Sequence, residues 1–182
     1  MLFQMVSLVL DVVAGLIAGT CLLRFLMQWQ RISFHQPLGQ FVFAVTDWLL
    51  LPLRRVIPPW SAWDLSSLAG AFLIKLVQYA LLWLVAGGQG SVGLLPLVSL
   101  VGLAQLVVSA LSALVLVLAV LSWVNPGSPM YSLAARLSQP FLRPFQRLLP
   151  LVGGVDLSPI ALLLLLQMAG MVLARLQMSW WY

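Results

Sequence analysis

Apolar runs long enough to cross a bilayer alternate along this chain with shorter, mixed stretches. A helix needs about 20 mostly apolar residues to span the hydrocarbon layer. Four stretches read as spans: about Met5 to Leu26, about Leu65 to Ala86, a segment within Leu94 to Val124, and a shorter one, about Pro159 to Leu173, followed by Arg175. The third is longer than a crossing needs and carries no charge, so it is expected to tilt or to project beyond the lipid. Between the second and third, Gly87-Gly88-Gln89-Gly90-Ser91-Val92-Gly93 reads as a short uncharged loop. The other two gaps differ. Gly39 to Leu51 is too apolar for water, and too short before Pro52 to span, which predicts an interfacial or re-entrant helix. Its counterpart, Tyr131 to Leu142, carries Ser132, Arg136, Ser138 and Gln139, and Arg136 and Arg143 can share one polar face. Pro52 and Pro144 lack a backbone donor and are expected to end or kink these helices.

The periodicity has a longer wavelength as well. Pro52, Arg55, Pro58, Asp64, Leu65 and Ser66 recur as Pro144, Arg147, Pro150, Asp156, Leu157 and Ser158, each pair 92 positions apart. Both copies fit P-x-x-R-x-x-P-x5-D-L-S without a gap, and Pro37 and Pro129 fall on the same offset. Such matches at Pro, Arg, Asp and Ser do not follow from apolar bias, so the chain reads as an internal duplication. The expected division is residues 1–88 and 94–182, each with two spanning helices and one interfacial segment.

A Pro/Arg/Pro segment leading into Asp156-Leu157-Ser158-Pro159-Ile160 before an apolar helix, with Asn125-Pro126-Gly127-Ser128-Pro129 upstream, resembles the YggT family of bacterial membrane proteins, which has relatives in plastids. The first copy departs from that pattern: Ser67 stands in place of the last Pro, and Ser33-Phe34-His35 in place of Asn-Pro-Gly. The resemblance implies an all-α membrane protein of two tandem repeats. It also implies a bacterial inner-membrane location and an organising role in envelope, osmotic-stress or assembly processes.

Composition sharpens the class. The chain is 63% hydrophobic and 7% charged, whereas soluble domains are roughly a quarter charged. A surface so poor in charge belongs in lipid. The net charge of +5 is spread between the apolar runs, with no basic–aromatic pattern for nucleic acid. Arg31, Arg54 and Arg55 lie in one connection, with Arg24 at its edge, and Arg136, Arg143 and Arg147 in the other. The positive-inside rule puts both connections in the cytoplasm and both termini outside. Arg175 dissents, next to an expected aromatic anchor at Trp180-Trp181-Tyr182. The repeats would then share one orientation, related by a pseudo-two-fold along the membrane normal. Met1 to Leu23 lacks a basic leader and is interrupted by Asp11, so it reads as a retained span rather than a signal peptide. The lone Cys21 excludes an internal disulfide.

Candidate chemistry is sparse. No catalytic, cofactor or metal constellation stands out, and His35 has no neighbouring ligand set. Ser158 is placed to cap the fourth span, with Pro159 in its first turn. Asp64 and Asp156 are expected to pair with Arg55 and Arg147. Arg54, Arg136 and Arg143 are expected to face anionic headgroups or a protein partner. Within the spans lie Asp11, Lys75, Gln78, Gln105 and Gln167, and helical rise leaves Asp11 and Lys75 roughly 5 Å apart in depth, within reach of a Lys side chain. Their pairing is the leading intramembrane expectation, because a lone charge at mid-membrane costs at least about 2.5 kcal/mol. The favoured reading is a non-enzymatic scaffold or assembly factor, able to self-associate. An oligomeric channel or carrier using the mid-membrane polar groups is the alternative.

Overall fold

The structure is a computed structural model that describes residues 2–32, 37–56, 64–88, 91–148 and 156–178. Pro58, Pro150, His35 and Trp180-Trp181-Tyr182 lie outside the described residues. The elements are α1 (Leu2–Trp29), α2 (Pro37–Val56), α3 (Leu65–Val85), a short 3-10 turn (Val92–Leu94), α4 (Leu95–Val124), α5 (Pro129–Leu148) and α6 (Ser158–Met178). Among the described residues there is no strand, and the fold is all-α. Among the described residues, four helical stretches are long and apolar enough to span: Phe3–Trp29, Leu65–Val85, Val92–Val124 and Ser158–Gln177. At about 1.5 Å per residue, α3 and α6 match a hydrocarbon core of about 30 Å, while α1 and α4 exceed it.

The duplication is visible in the element boundaries. Both ends of α2 and α5 lie 92 positions apart. Pro37 and Pro129 open these two helices, where a missing N–H leaves no bond unmade. Both helices run further than their sequence suggests. Of the end or kink expected at Pro52, the end does not occur: α2 continues to Val56. Likewise α5 passes through Pro140 and Pro144 to Leu148. Packing on both sides of the ring accounts for this. Leu50 is buried before Pro52, and Arg54 is bound to another element after it. Leu142 is buried before Pro144, and Gln146 is bound after it.

The chain divides into two compact units, Met1–Leu106 with Leu176–Tyr182, and Val107–Arg175. In the first, α1 packs chiefly on α3 and α2 lies against both. Ala14, Ala18 and Cys21 on α1, and Gly70 and Ala71 on α3, are buried, and small side chains let helix backbones approach in lipid. The buried face of α2 is Val42, Thr46 and Leu50. A Cβ added at Gly70 would lie 2.8 Å from the Leu50 tip, so α2 closes over that glycine. In the second unit, Ala134 and Leu142 of α5 share a core with Val115 and Leu118 of α4 and Leu162 and Leu166 of α6. The buried positions of the two amphipathic helices coincide in the repeat register: Val42, Thr46 and Leu50 correspond to Ala134, Ser138 and Leu142.

Two helix ends use the same closing turn. The Gly88 N–H donates to Trp83 O at 2.9 Å and Gly87 to Leu84 O at 3.1 Å, with Gly87 at φ 87°. At the end of α1, Ile32 donates to Met27 O at 2.9 Å and Arg31 to Gln28 O at 3.0 Å, with Arg31 at φ 53°. This double closure satisfies carbonyls that a helix end leaves unpaired.

Gly102 of α4 lies against the Tyr79 phenol, so closely that a Cβ there would overlap the ring and its hydroxyl. Gly102→Ala is therefore expected to destabilise the protein by about 1–3 kcal/mol through overpacking, despite alanine's better helix propensity. Gly15→Ala, with open space around it, should be neutral or stabilising. Thermal unfolding in mild detergent checks both, and a Gly102→Ala protein as stable as the native one would contradict the packing of Tyr79.

Candidate functional site

Polar side chains gather at three places in the first unit. One lies where α2 ends and α3 begins. Asp64 precedes α3 and is only 3% exposed. Its carboxylate accepts from the Ser66 hydroxyl, from Ser67 Oγ at 2.7 Å and from Arg54 Nη2 at 2.7 Å. With its amide oriented to suit its neighbours, Gln28 of α1 donates to the same carboxylate and accepts from Arg54 Nη2 at 3.1 Å. Three helices thus meet on one carboxylate. Burial pushes the Asp64 carboxyl up, but the hydrogen bonds from Ser66, Ser67 and Arg54 and the Arg54 charge outweigh it. The net result holds Asp64 below its ordinary range.

The second place joins α1 to the middle of α2. Arg24 is 1% exposed, and its Nη1 donates to Thr46 Oγ1 and to Asp47 Oδ1, both at 2.7 Å. Its guanidinium lies over the Phe43 ring, 4.2 Å from the centroid, a stacking geometry that suits the planar cation. Thr46 passes the bond on, donating to Val42 O at 2.7 Å.

The third lies within the spans. Gln78 Nε2 donates to Asp11 Oδ1 at 2.5 Å, and Lys75 Nζ donates to Gln78 Oε1 at 2.9 Å. The expected Asp11–Lys75 pair is therefore corrected: the amide of Gln78 stands between the two charges. Lys75 and Gln78 face one way because they are three residues apart on a helix. Lys75 is 7% exposed and Gln78 1%, whereas Asp11 stands on the exposed side of α1. Lys75 Nζ is also 5.9 Å from the Tyr79 ring centroid, and Gln177 donates to the Tyr79 hydroxyl at 2.5 Å. Gln105 is half-buried and Gln167 exposed, and neither belongs to this chain of bonds.

In the second unit, Asp156 accepts from Gln146 Nε2 at 3.0 Å and from the Ser158 backbone N–H at 2.9 Å. Its modest burial raises its carboxyl, and the bonds from Ser158 and Gln146 more than reverse that, leaving it low. Ser158 is the first residue of α6, and the Leu157 carbonyl takes the first helical bonds. The capping acceptor is thus Asp156, not the Ser158 hydroxyl, and Pro159 sits one place further in.

The arginines change roles. Arg55 and Arg147, identical in the repeat and expected to bind Asp64 and Asp156, are both exposed. The residue one place earlier makes each bond: Arg54 in the first copy, Gln146 in the second. Helix phase explains it, since 54 and 146 lie one turn beyond buried Leu50 and Leu142. Arg54, expected to face lipid or a partner, is turned into the fold. Ser67, which departs from the Pro of the second copy, supplies a donor that Pro could not. Sequence reasoning gave no role to Thr46, Asp47, Gln28, Tyr79 or Gln177. A charge at Arg24 inside a long apolar helix was the available signal for the second cluster.

These features define a four-span membrane protein built from two tandem copies of one helical unit. The family model described as CCB3/YggT matches residues 3–85 and again 97–177. The chain belongs to the CCB3/YggT family. It is 36% identical to the uncharacterized protein YggT of Escherichia coli K12 over 170 residues, 93% of this chain and 89% of that one. An uncharacterized protein of Pseudomonas aeruginosa is 38% identical over 168 residues, covering 90% and 85%. One of Vibrio alginolyticus is 30% identical over 165, covering 88% and 89%. No solved structure matches.

Two outcomes test the polar contacts. Arg54→Ala should cost about 1–3 kcal/mol by leaving the Asp64 carboxylate under-satisfied, while Arg55→Ala should change little; equal losses would refute the assignment. Because Asp64 is held below the value of about 3.9 typical of an unfolded chain, its contribution is full above about pH 4 and is lost as pH falls through the lower folded value. Detergent melting temperatures should drop across that acid window, and Asp64→Asn should flatten the drop. In the spans, Gln78→Leu is expected to destabilise by more than Asp11→Asn, because it strands Lys75 and Asp11 together. The reverse order, measured by unfolding in mild detergent, would remove Gln78 from its bridging place.

Proposed function

We propose that this protein is a non-enzymatic scaffold or assembly factor for other membrane proteins, in envelope or osmotic-stress processes of a bacterial inner membrane. In this reading both termini face outward, and residues 1–88 and 94–182 act as two like-oriented repeats. The observation that supports it is the use made of polar groups in the first unit. Asp11 and Lys75 are spent on Gln78, and Arg24 on Thr46 and Asp47. Groups committed to holding helices together are poorly placed to hydrate or carry a passing ion. The outward side of α2 shows Phe41, Trp48 and Leu51, each 60% exposed, a surface suited to lipid or to another apolar helix. Self-association of the chain is consistent with the same surface.

A channel or carrier is the second reading, and the exposure of Asp11 beside the Gln78–Lys75 bridge favours it. Ion and proton flux in proteoliposomes separates the two. The scaffold reading expects the same background leak from the native chain and from Lys75→Met. A native flux that Lys75→Met abolishes would establish the second reading instead. A photo-crosslinking residue at Trp48, used in living cells, should then give one reproducible membrane-protein adduct that the same residue at Met168 does not.

A further inference from the structure

The two amphipathic helices bury matching faces and turn matching faces outward, yet the outward chemistry has diverged. On α2 the exposed positions include Ala44, Leu51 and Arg55; at the same register α5 has Arg136, Arg143 and Arg147, all exposed. Ser132 and Gln139 complete that side of α5, following a spacing of three and four residues that keeps them on one stripe with the arginines. No acidic residue lies on this stripe of α5 itself. The neighbouring Asp156 is taken up by Gln146 and the start of α6.

The geometry points to the outward face of α5 as a binding site for the phosphates of anionic phospholipids. Rotation of the helix is fixed by its other side, where Leu133, Ala134, Leu137, Ser138 and Leu142 are buried. The arginines cannot turn inward without breaking that packing. Position is fixed as well. Four residues separate α5 from the spanning α4 and nine from the spanning α6, so the helix cannot leave the membrane region. Arginines held there are strongly disfavoured in hydrocarbon and well matched to headgroup phosphates, which accept the guanidinium fork in two parallel bonds. Helical rise spaces Arg136 and Arg143 by about 10 Å and Arg143 and Arg147 by about 6 Å, enough for more than one phosphate. The inference concerns the second repeat alone and does not depend on the scaffold reading.

Native mass spectrometry of the full chain, purified in mild detergent and titrated with phosphatidylglycerol or phosphatidylcholine, tests it. The native protein should retain phosphatidylglycerol about tenfold more than phosphatidylcholine, and added NaCl should erase that preference. The combined Arg136→Gln, Arg143→Gln, Arg147→Gln variant should bind both lipids alike, while Arg175→Gln, at the far end of α6, should keep the native preference. The single Arg→Gln variants, each expected to lose part of the preference, serve if the triple variant does not fold. The proposal is overturned if the native chain shows no preference, if the triple variant keeps it, or if Arg175→Gln loses it equally. Displacement of phosphatidylglycerol by millimolar inorganic phosphate would also overturn it, by marking a general anion site rather than a lipid one.

Discussion

A charge taken out of water is stable only when another group of the same fold answers it, and the first repeat is arranged around that demand. Water is not available as the default partner. Asp64 is answered by groups from α1, α2 and α3, Arg24 by two groups on α2, and Lys75 by the amide that also serves Asp11. Each contact joins different helices or closes a chain that does. Small residues at Ala14, Ala18, Gly70 and Ala71 set how closely the helices approach. The polar contacts then fix their rotation and depth, which apolar packing in an apolar solvent specifies weakly.

The second repeat meets the same demand by removing it. In the repeat register Arg24 becomes Leu116, Asp47 becomes Gln139, Arg54 becomes Gln146 and Lys75 becomes Gln167. Asp11 and Gln78 become Leu103 and Gly170. The internal ions are gone, and an apolar core of Val115, Leu118, Leu162 and Leu166 against α5 takes their place. Positive charge reappears on the outside, at Arg136 and Arg143, where the first copy has Ala44 and Leu51. One backbone design therefore turns Arg24, Arg54 and Lys75 inward in the first copy and Arg136, Arg143 and Arg147 outward in the second.

Much of this is legible in the sequence. Span positions follow from apolar length, and the repeat follows from Pro, Arg, Asp and Ser at a constant offset. The interfacial segments were legible as helices but not in extent, because Pro52 and Pro144 signal a stop that packing on either side overrides. The polar partners were the least legible. A shared Arg at 55 and 147 drew the Asp contact to the wrong residue, since identity between copies says nothing about which way a side chain points. Phase relative to Leu50 and Leu142 would have pointed to 54 and 146. Depth alone brought Asp11 and Lys75 together; it could not reveal that Gln78, on the same face as Lys75, would stand between them.

What the two copies share at their centre is not an ion pair but a carboxylate with a fixed duty. Asp64 and Asp156 each stand at the start of a span, accept from the last turn of the preceding amphipathic helix, and accept from the opening residues of the span itself. The donor from the amphipathic helix is a cation in one copy and an amide in the other, and the donor at the helix start is a hydroxyl in one and a backbone N–H in the other. A carboxylate accepts all of these, which is why the acceptor can stay the same while its donors change. The helix N-terminus favours its charge in either setting. The Asp-Leu-Ser element is thus a joint between an amphipathic helix and the span that follows it, and it holds whether the surrounding repeat keeps its charges inside or outside.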